Sequence, residues 1–262
     1  MIIRFENNNI EKLFEYIGNN YGNCLYMYID LKKYGLENDN FKIWVQYDCS
    51  EKICSLISEY HGGFQVFSKS NNFDAEEIAN FIKEKNPTGI SGMKKTIDKI
   101  HNYLPDFKQE IGSVAKLFEL KYAPNINAYS VPFDELSEVA KVVSEDENVG
   151  KPYGYQSLFE QFCERKKDKF GRNFILRDLE TNNIICHAAT YAELPELAII
   201  SGVLTTPEYR GKGFSKETLA ALCEELISEK KEVFSYFYIL PAKKMHYGVG
   251  FEKIGDWSKL IE

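Results

Sequence analysis

Hydrophobic periodicity along the 262 residues predicts one order of elements twice, and this repetition restricts the possible folds more than any single motif. The first pass runs from a short strand at the N-terminus through two amphipathic helices and three strands. The turn His61-Gly62-Gly63 joins the second of these strands to the third. A helix follows, with Asp74 as its N-cap and Glu77 completing a capping box. A further strand, a helix and a last strand predicted over 113–122 complete the pass. Tyr122-Ala123-Pro124-Asn125 then breaks the pattern, and the order β-α-α-β-β-β-α-β-α-β starts again. The expected domains are therefore 1–124 and 125–262. The two halves share element order and no obvious sequence identity, so a single domain with an unrelated N-terminal α/β extension is the alternative.

Composition removes several function classes. The net charge of −7 opposes nucleic acid as a partner, because a phosphate-binding surface needs a dense positive field. No stretch approaches the roughly 20 consecutive apolar residues of a membrane span. The start, MIIRFENNNIEKLF, lacks the basic and apolar regions of a secretory signal, so a cytoplasmic location is expected. Cys24, Cys49, Cys54, Cys163, Cys186 and Cys223 form no CxxC pair and have no histidine at ligand spacing. They read as reduced thiols, and no metal site is expected. Tyr21, Tyr26, Tyr28 and Tyr34, at helical spacing, read as core or interface packing, with the lining of a pocket as the alternative.

Chemistry concentrates in Val203-Leu204-Thr205-Thr206-Pro207-Glu208-Tyr209-Arg210-Gly211-Lys212-Gly213-Phe214-Ser215. A strand is predicted to end there, a glycine-rich loop follows, and a helix starts at once. The first N–H groups of a helix lack internal partners and carry partial positive charge. Glycines let that backbone approach a phosphate closely. The spacing is neither GxxxxGK[ST] nor GxGxxG, which leaves out a P-loop and a dinucleotide fingerprint.

The string resembles the acyl-CoA signature of the GNAT acyltransferases, [RQ]-x-x-G-x-[GA], with Arg210, Gly213 and Ser215 at the signature positions. Its flavour is similar to the glycine N-acyltransferase-like branch, G-V-x-T-x-P-E-x-R-G-x-G, matched by Gly202, Val203, Thr205, Pro207, Glu208, Arg210, Gly211 and Gly213. A second block resembles N-P-A-x-x-L-Y-x-x-x-G-F. Pro241, Ala242, Gly250 and Phe251 match it, Met245 stands for leucine, and Leu240 replaces asparagine. The resemblance covers about 127–262 by motif and the first half by element order alone. It implies a GNAT fold of the α/β (α+β) class: a mixed, mostly antiparallel sheet flanked by helices, in two tandem halves. The second half would be catalytic and the first degenerate, since Ser68–Asp74 contains neither glycine nor arginine.

The resemblance further implies acetyl-CoA as co-substrate, held by Val203, Leu204, Thr205, Arg210, Gly211, Lys212, Gly213, Phe214 and Ser215. Its acetyl group would pass directly to a primary amine of a small molecule or peptide. A backbone N–H near Thr205 would face the acyl carbonyl. His246, at the family's tyrosine position, or Tyr247, one residue on, would protonate the thiolate. Glu193, Glu196 and Ser201, the last through water, are the candidate bases, while His187 reads as a core histidine. A non-catalytic acyl-CoA-binding protein and an enzyme using another acyl-CoA remain alternatives, and a homodimer is compatible with each.

Overall fold

The computed structural model describes residues 1–6 and 9–262 and divides into two compact units. Unit 1 is 1–113 with 255–262, and unit 2 is 114–254. The expected division at 124/125 is thus displaced. The chain crosses into unit 2 within a strand, and its last eight residues return to unit 1.

Unit 1 begins with β1 (Ile2–Arg4), α1 (Glu11–Ile17) and α2 (Leu25–Tyr34). β2 (Phe41–Tyr47), β3 (Ile53–Tyr60) and β4 (Gly63–Phe67) form an antiparallel meander. α3 (Ala75–Lys83) then leads to β5 (Gly89–Met93), which pairs parallel with β4. α4 (Lys94–His101) and β6 (Lys108–Leu117) follow. Asp74 caps α3, accepting from the Glu77 N–H at 3.0 Å. The Glu77 carboxylate turns to Gln46 Nε2 (2.7 Å) and the N-terminal amine (3.1 Å), so the capping box is only half formed. α3 buries Ile78, Ala79 and Ile82, the one-sided spacing that seats a helix on a sheet.

Unit 2 repeats the order: β7 (Tyr129–Ser130), α5 (Leu136–Glu145), α6 (Tyr155–Lys167), β8 (Asn173–Arg177), β9 (Ile184–Glu193) and β10 (Leu197–Thr205). Then come α7 (Phe214–Ser228), β11 (Glu232–Phe237), α8 (Leu240–Val249) and β12 (Phe251–Ile261). β7 to β10 are antiparallel neighbours, and β10 pairs parallel with β11. The twofold order expected from periodicity is therefore present, down to the place of the parallel pair. β9 is buried along nearly its whole length, and its buried run Ile184–Thr190, apolar apart from His187 and Thr190, does not alternate. Such a strand needs cover on both faces. Leu136, Val139, Ala140 and Val143 of α5, with Leu158 and Phe162 of α6, pack against Ile175 and Ile184 in one cluster. α7 packs Leu219, Ala220, Cys223 and Leu226 against Ala188, Ala198 and Ile200 in another. Each buried leucine or isoleucine contributes roughly 1.5–3 kcal/mol.

Two strands differ from their predicted extent. β6 starts at Lys108 and stops at Leu117, not at Tyr122, and Phe118 is exposed. β12, expected over 251–257, runs on to Ile261, and Trp257–Leu260 pair with Met93–Ile90 of β5 in unit 1. All six cysteines are free thiols, and Cys24, Cys186 and Cys223 are buried. Among the described residues, no helix is long and apolar enough to cross a membrane.

Candidate functional site

β10 is nine residues long, yet it pairs with β11 only from Leu197↔Glu232 to Ile200↔Ser235. Beyond Ile200 the two parallel strands no longer pair, and among the described residues the β11-facing edge of Ser201–Thr205 has no strand partner. The other edge is irregular too. The ladder to β9 passes from Ser201↔Ala189 to Leu204↔His187, so Gly202 and Val203 together oppose Ala188. This is a β-bulge, and Gly202 sits in it at φ +59°.

At the end of β10, a single turn at Pro207–Tyr209 leads to the loop Arg210–Gly213 and then α7. Gly211 and Gly213 have φ of +80° and +95°, which side chains rarely adopt. After Arg210, whose N–H meets Pro207 O at 3.3 Å, the next N–H to find a backbone acceptor is that of Lys216, bonded to Gly213 O at 2.9 Å. Among the described residues, the N–H groups of Gly211, Lys212, Gly213, Phe214 and Ser215 make no hydrogen bond. A Cβ built on Gly211 would meet nothing within 4 Å, so the approach is open. Lys212 and Lys216 add positive charge to this segment, and the Glu217 carboxylate is engaged by Asn125 Nδ2 at 2.7 Å. The donor set fits a pyrophosphate.

Arg210 braces this loop: its Nε donates to Thr205 O (3.0 Å), and a terminal nitrogen meets Asp146 Oδ2 (3.1 Å). Tyr209 Oη donates to Asp178 Oδ2 at 3.1 Å, tying the turn to the β8–β9 hairpin. Sequence reasoning missed Asp146, Asp178 and Tyr122, whose hydroxyl lies 3.3 Å from where a Gly213 Cβ would be. None stands near the loop in the chain, and no local pattern marks them.

The expected proton donor His246 occupies a different environment from the one predicted. It is 4% exposed, stacked on Phe237 and edge-on to Phe251. Its Nδ1–H donates to Ala242 O (2.8 Å), an atom that can only accept, and its Nε2 accepts from the Ser235 hydroxyl (2.8 Å). Burial pushes its pKa down to about 4. The one proton of this neutral ring is committed to a helix carbonyl, which corrects the expectation that His246 is the acid. Its geometry instead anchors α8 to Ser235, the residue at which β11 parts from β10. Tyr247 is half-buried, its ring edge-on to Phe237, and its hydroxyl makes no hydrogen bond among the described residues.

The candidate bases separate as well. Glu193 is 5% exposed and bound by Arg172 (2.6 Å), Lys231 (3.5 Å) and the Thr190 hydroxyl (2.8 Å). With Glu225 and Glu229 also on Arg172, this is a structural ion-pair network. Glu196 precedes β10, roughly 15 Å along the strand from Ser201. Of the three, only Ser201 lies where β10 leaves β11.

No family model and no curated protein matches the sequence. Solved structures do match. An acetyltransferase of the GNAT family from Colwellia psychrerythraea gives a TM-score of 0.61 at 11% identity, covering 99% of this chain and 98% of that one. A tandem GNAT protein from the clavulanic acid biosynthesis pathway gives 0.60 at 11% identity, covering 99% and 97%. A GCN5-related N-acetyltransferase-like protein from Streptococcus suis gives 0.57 at 14%, covering 96% and 97%. The chain has the GNAT fold.

Within this GNAT fold the two units differ at their equivalent sites. In unit 1 the parallel pairing of β4 with β5 runs from Gly63 to Val66, leaving only Phe67 of β4 beyond it. The helix that follows starts with Asp74, Glu76 and Glu77, and Asp74 already occupies one of its free N–H groups. Three carboxylates at a helix N-terminus repel phosphate. Among the described residues, unit 2 has the opening and the unpaired helix N-terminus, and unit 1 has neither.

Proposed function

We propose that unit 2 transfers an acetyl group from acetyl-CoA directly to a primary amine. The observation that carries this reading is the parting of β10 from β11 after Ile200 and Ser235, next to a helix N-terminus with five consecutive unpaired N–H groups. The cradle at Gly211–Ser215 would hold the pyrophosphate. The free edge of Ser201–Thr205 would hydrogen-bond the amide-bearing arm of the co-substrate as a strand does. The bulge at Gly202–Val203 supports placing the carbonyl donor there, two residues before Thr205.

The neutral amine attacks the thioester carbonyl carbon, the C–S bond breaks, and the sulfur leaves as thiolate. The proton lost by the amine passes to water at Ser201. Tyr247, with its unengaged hydroxyl, protonates the thiolate, whose conjugate acid has a pKa near the ~8.5 of cysteine, so modest assistance suffices. Unit 1 binds no acyl-CoA under this reading. Release of free thiol from acetyl-CoA in the presence of a panel of primary amines tests it. Amine-dependent release is expected. Tight binding without release from any acyl-CoA would leave a binding protein, and release only from longer acyl-CoAs would change the donor.

A further inference from the structure

We propose that His187 is a positioning residue for the transfer step, locking the β10 bulge so that the Val203 N–H stays aimed at the acyl carbonyl. The proposal rests on the acetyl transfer argued above. His187 lies in β9, 1% exposed, with its ring 6.0 Å from that of Phe162. Its Nδ1 is 2.6 Å from the carbonyl oxygen of Gly202, and its Nε2 is 2.9 Å from Asn173 Oδ1. The Gly202 carbonyl can only accept, so Nδ1 carries the proton. Burial pushes the pKa down to about 4, so the ring is neutral near pH 7 and Nε2 is an acceptor. An acceptor at Nε2 requires a donor opposite it, so the Asn173 amide, placed with Oδ1 towards the ring, is assigned the opposite orientation, with its NH₂ donating to Nε2.

The consequence lies in the next peptide group. A trans peptide points its C=O and its N–H in opposite directions. Fixing the Gly202 carbonyl on His187 therefore fixes the Val203 N–H on the side away from His187. At this point β10 has already lost its β11 partner, so no parallel strand claims that donor. A glycine at φ +59° in a bulge resists rotation of its peptide only weakly. The short bond from a buried ring supplies the restraint, and a donor held ready for a developing oxyanion needs no reorganisation during reaction. Gly202 and His187 are also matched in shape, since a Cβ on Gly202 would come 3.3 Å from His187 Cε1.

The test pairs two substitutions with a measurement on the free protein. In His187→Asn, the side-chain NH₂ falls close to the place of Nδ1–H and retains the donor. In His187→Phe, the ring volume stays and the donor is lost. His187→Phe is expected to lower kcat at least tenfold with the KM for acetyl-CoA within twofold of wild type, and His187→Asn to recover kcat to within threefold. The infrared band of carbonyl-labelled acetyl-CoA should lie at lower frequency on wild type than on His187→Phe. In the free protein, ¹⁵N spectra should show His187 as the neutral Nδ1–H tautomer from pH 5.5 to 8. An Nε2–H tautomer, equal loss of kcat in both variants, or a raised KM with kcat unchanged would overturn the proposal. Should His187→Phe fail to fold, the tautomer and the His187→Asn kinetics still decide. A wild-type protein that binds no acetyl-CoA would instead remove the transfer function, and the role of His187 in it, whatever the tautomer.

Discussion

A proton donor must have a proton free to move, and on that ground the two adjacent candidates in α8 part company. The His246 proton lies on Ala242 O and its other nitrogen on Ser235, whereas the Tyr247 hydroxyl is unengaged. Tyr247→Phe is expected to lower kcat at least tenfold with little change in acetyl-CoA affinity, read from steady-state kinetics and titration. His246→Gln is expected to cost stability, about 1–3 kcal/mol for a buried hydroxyl left unpaired, with kcat within threefold of wild type. The reverse pattern would return the acid to His246. Position in the second motif pointed to this pair of residues, because Gly250 and Phe251 count back to them in the sequence. Choosing between them required the partner Ser235, eleven residues earlier on strand β11, which no local pattern shows. The same holds for Arg210, found by its motif, and Asp146, its partner, found only in the fold.

At the scale of elements, the loop and helix that hold the candidate site were legible because glycine, arginine and the onset of an apolar helix stand within six residues. The opening beside them was not. Periodicity marks Leu197–Thr205 and the strand after α7 alike as strands, and nothing in either says that their pairing stops after four residue pairs. The bulge was equally hidden, although Gly202 inside a strand is its one local signal. Ser215→Asp probes the helix N-terminus without strain, whereas any side chain at Gly213 would be forced to φ +95°. A carboxylate in the first turn favours the helix by about 0.3–1 kcal/mol and repels phosphate. Ser215→Asp should therefore leave Tm unchanged or slightly raised while weakening CoA at least tenfold. Weaker binding with a lowered Tm would point to general damage rather than to loss of the cradle.

For the whole molecule, the twofold order was legible from periodicity, but the unit boundary was not. The return of 255–262 to unit 1 depends on pairing with β5, some 165 residues away in sequence, and β6 starts among the polar residues Lys108, Gln109 and Glu110. Stability against pH offers a check on the buried histidines. Folding lowers the pKa of His246 from ~6.5 to about 4, so the folded state binds fewer protons between those values. Its contribution is full above pH 6.5 and is lost as pH falls towards 4, about 3 kcal/mol in all. Asp30, pushed up to about 7 by burial, acts in the opposite sense, so the effect is read as a difference between proteins. From pH 7 to pH 4, wild type should lose roughly that much stability relative to His246→Gln in urea unfolding, so that the gap between them vanishes or changes sign. A gap independent of pH would show that folding leaves the His246 pKa unshifted, and a gap that widens as pH falls would show the ring charged in the folded protein.

Calorimetric titration of the full chain with acetyl-CoA bears most directly on the division of labour between the units. One molecule should bind per chain, with binding lost or weakened at least tenfold in Ser215→Asp. No binding, or two molecules per chain with one surviving the substitution, would contradict a single cradle at Gly211–Ser215 and a first unit without one.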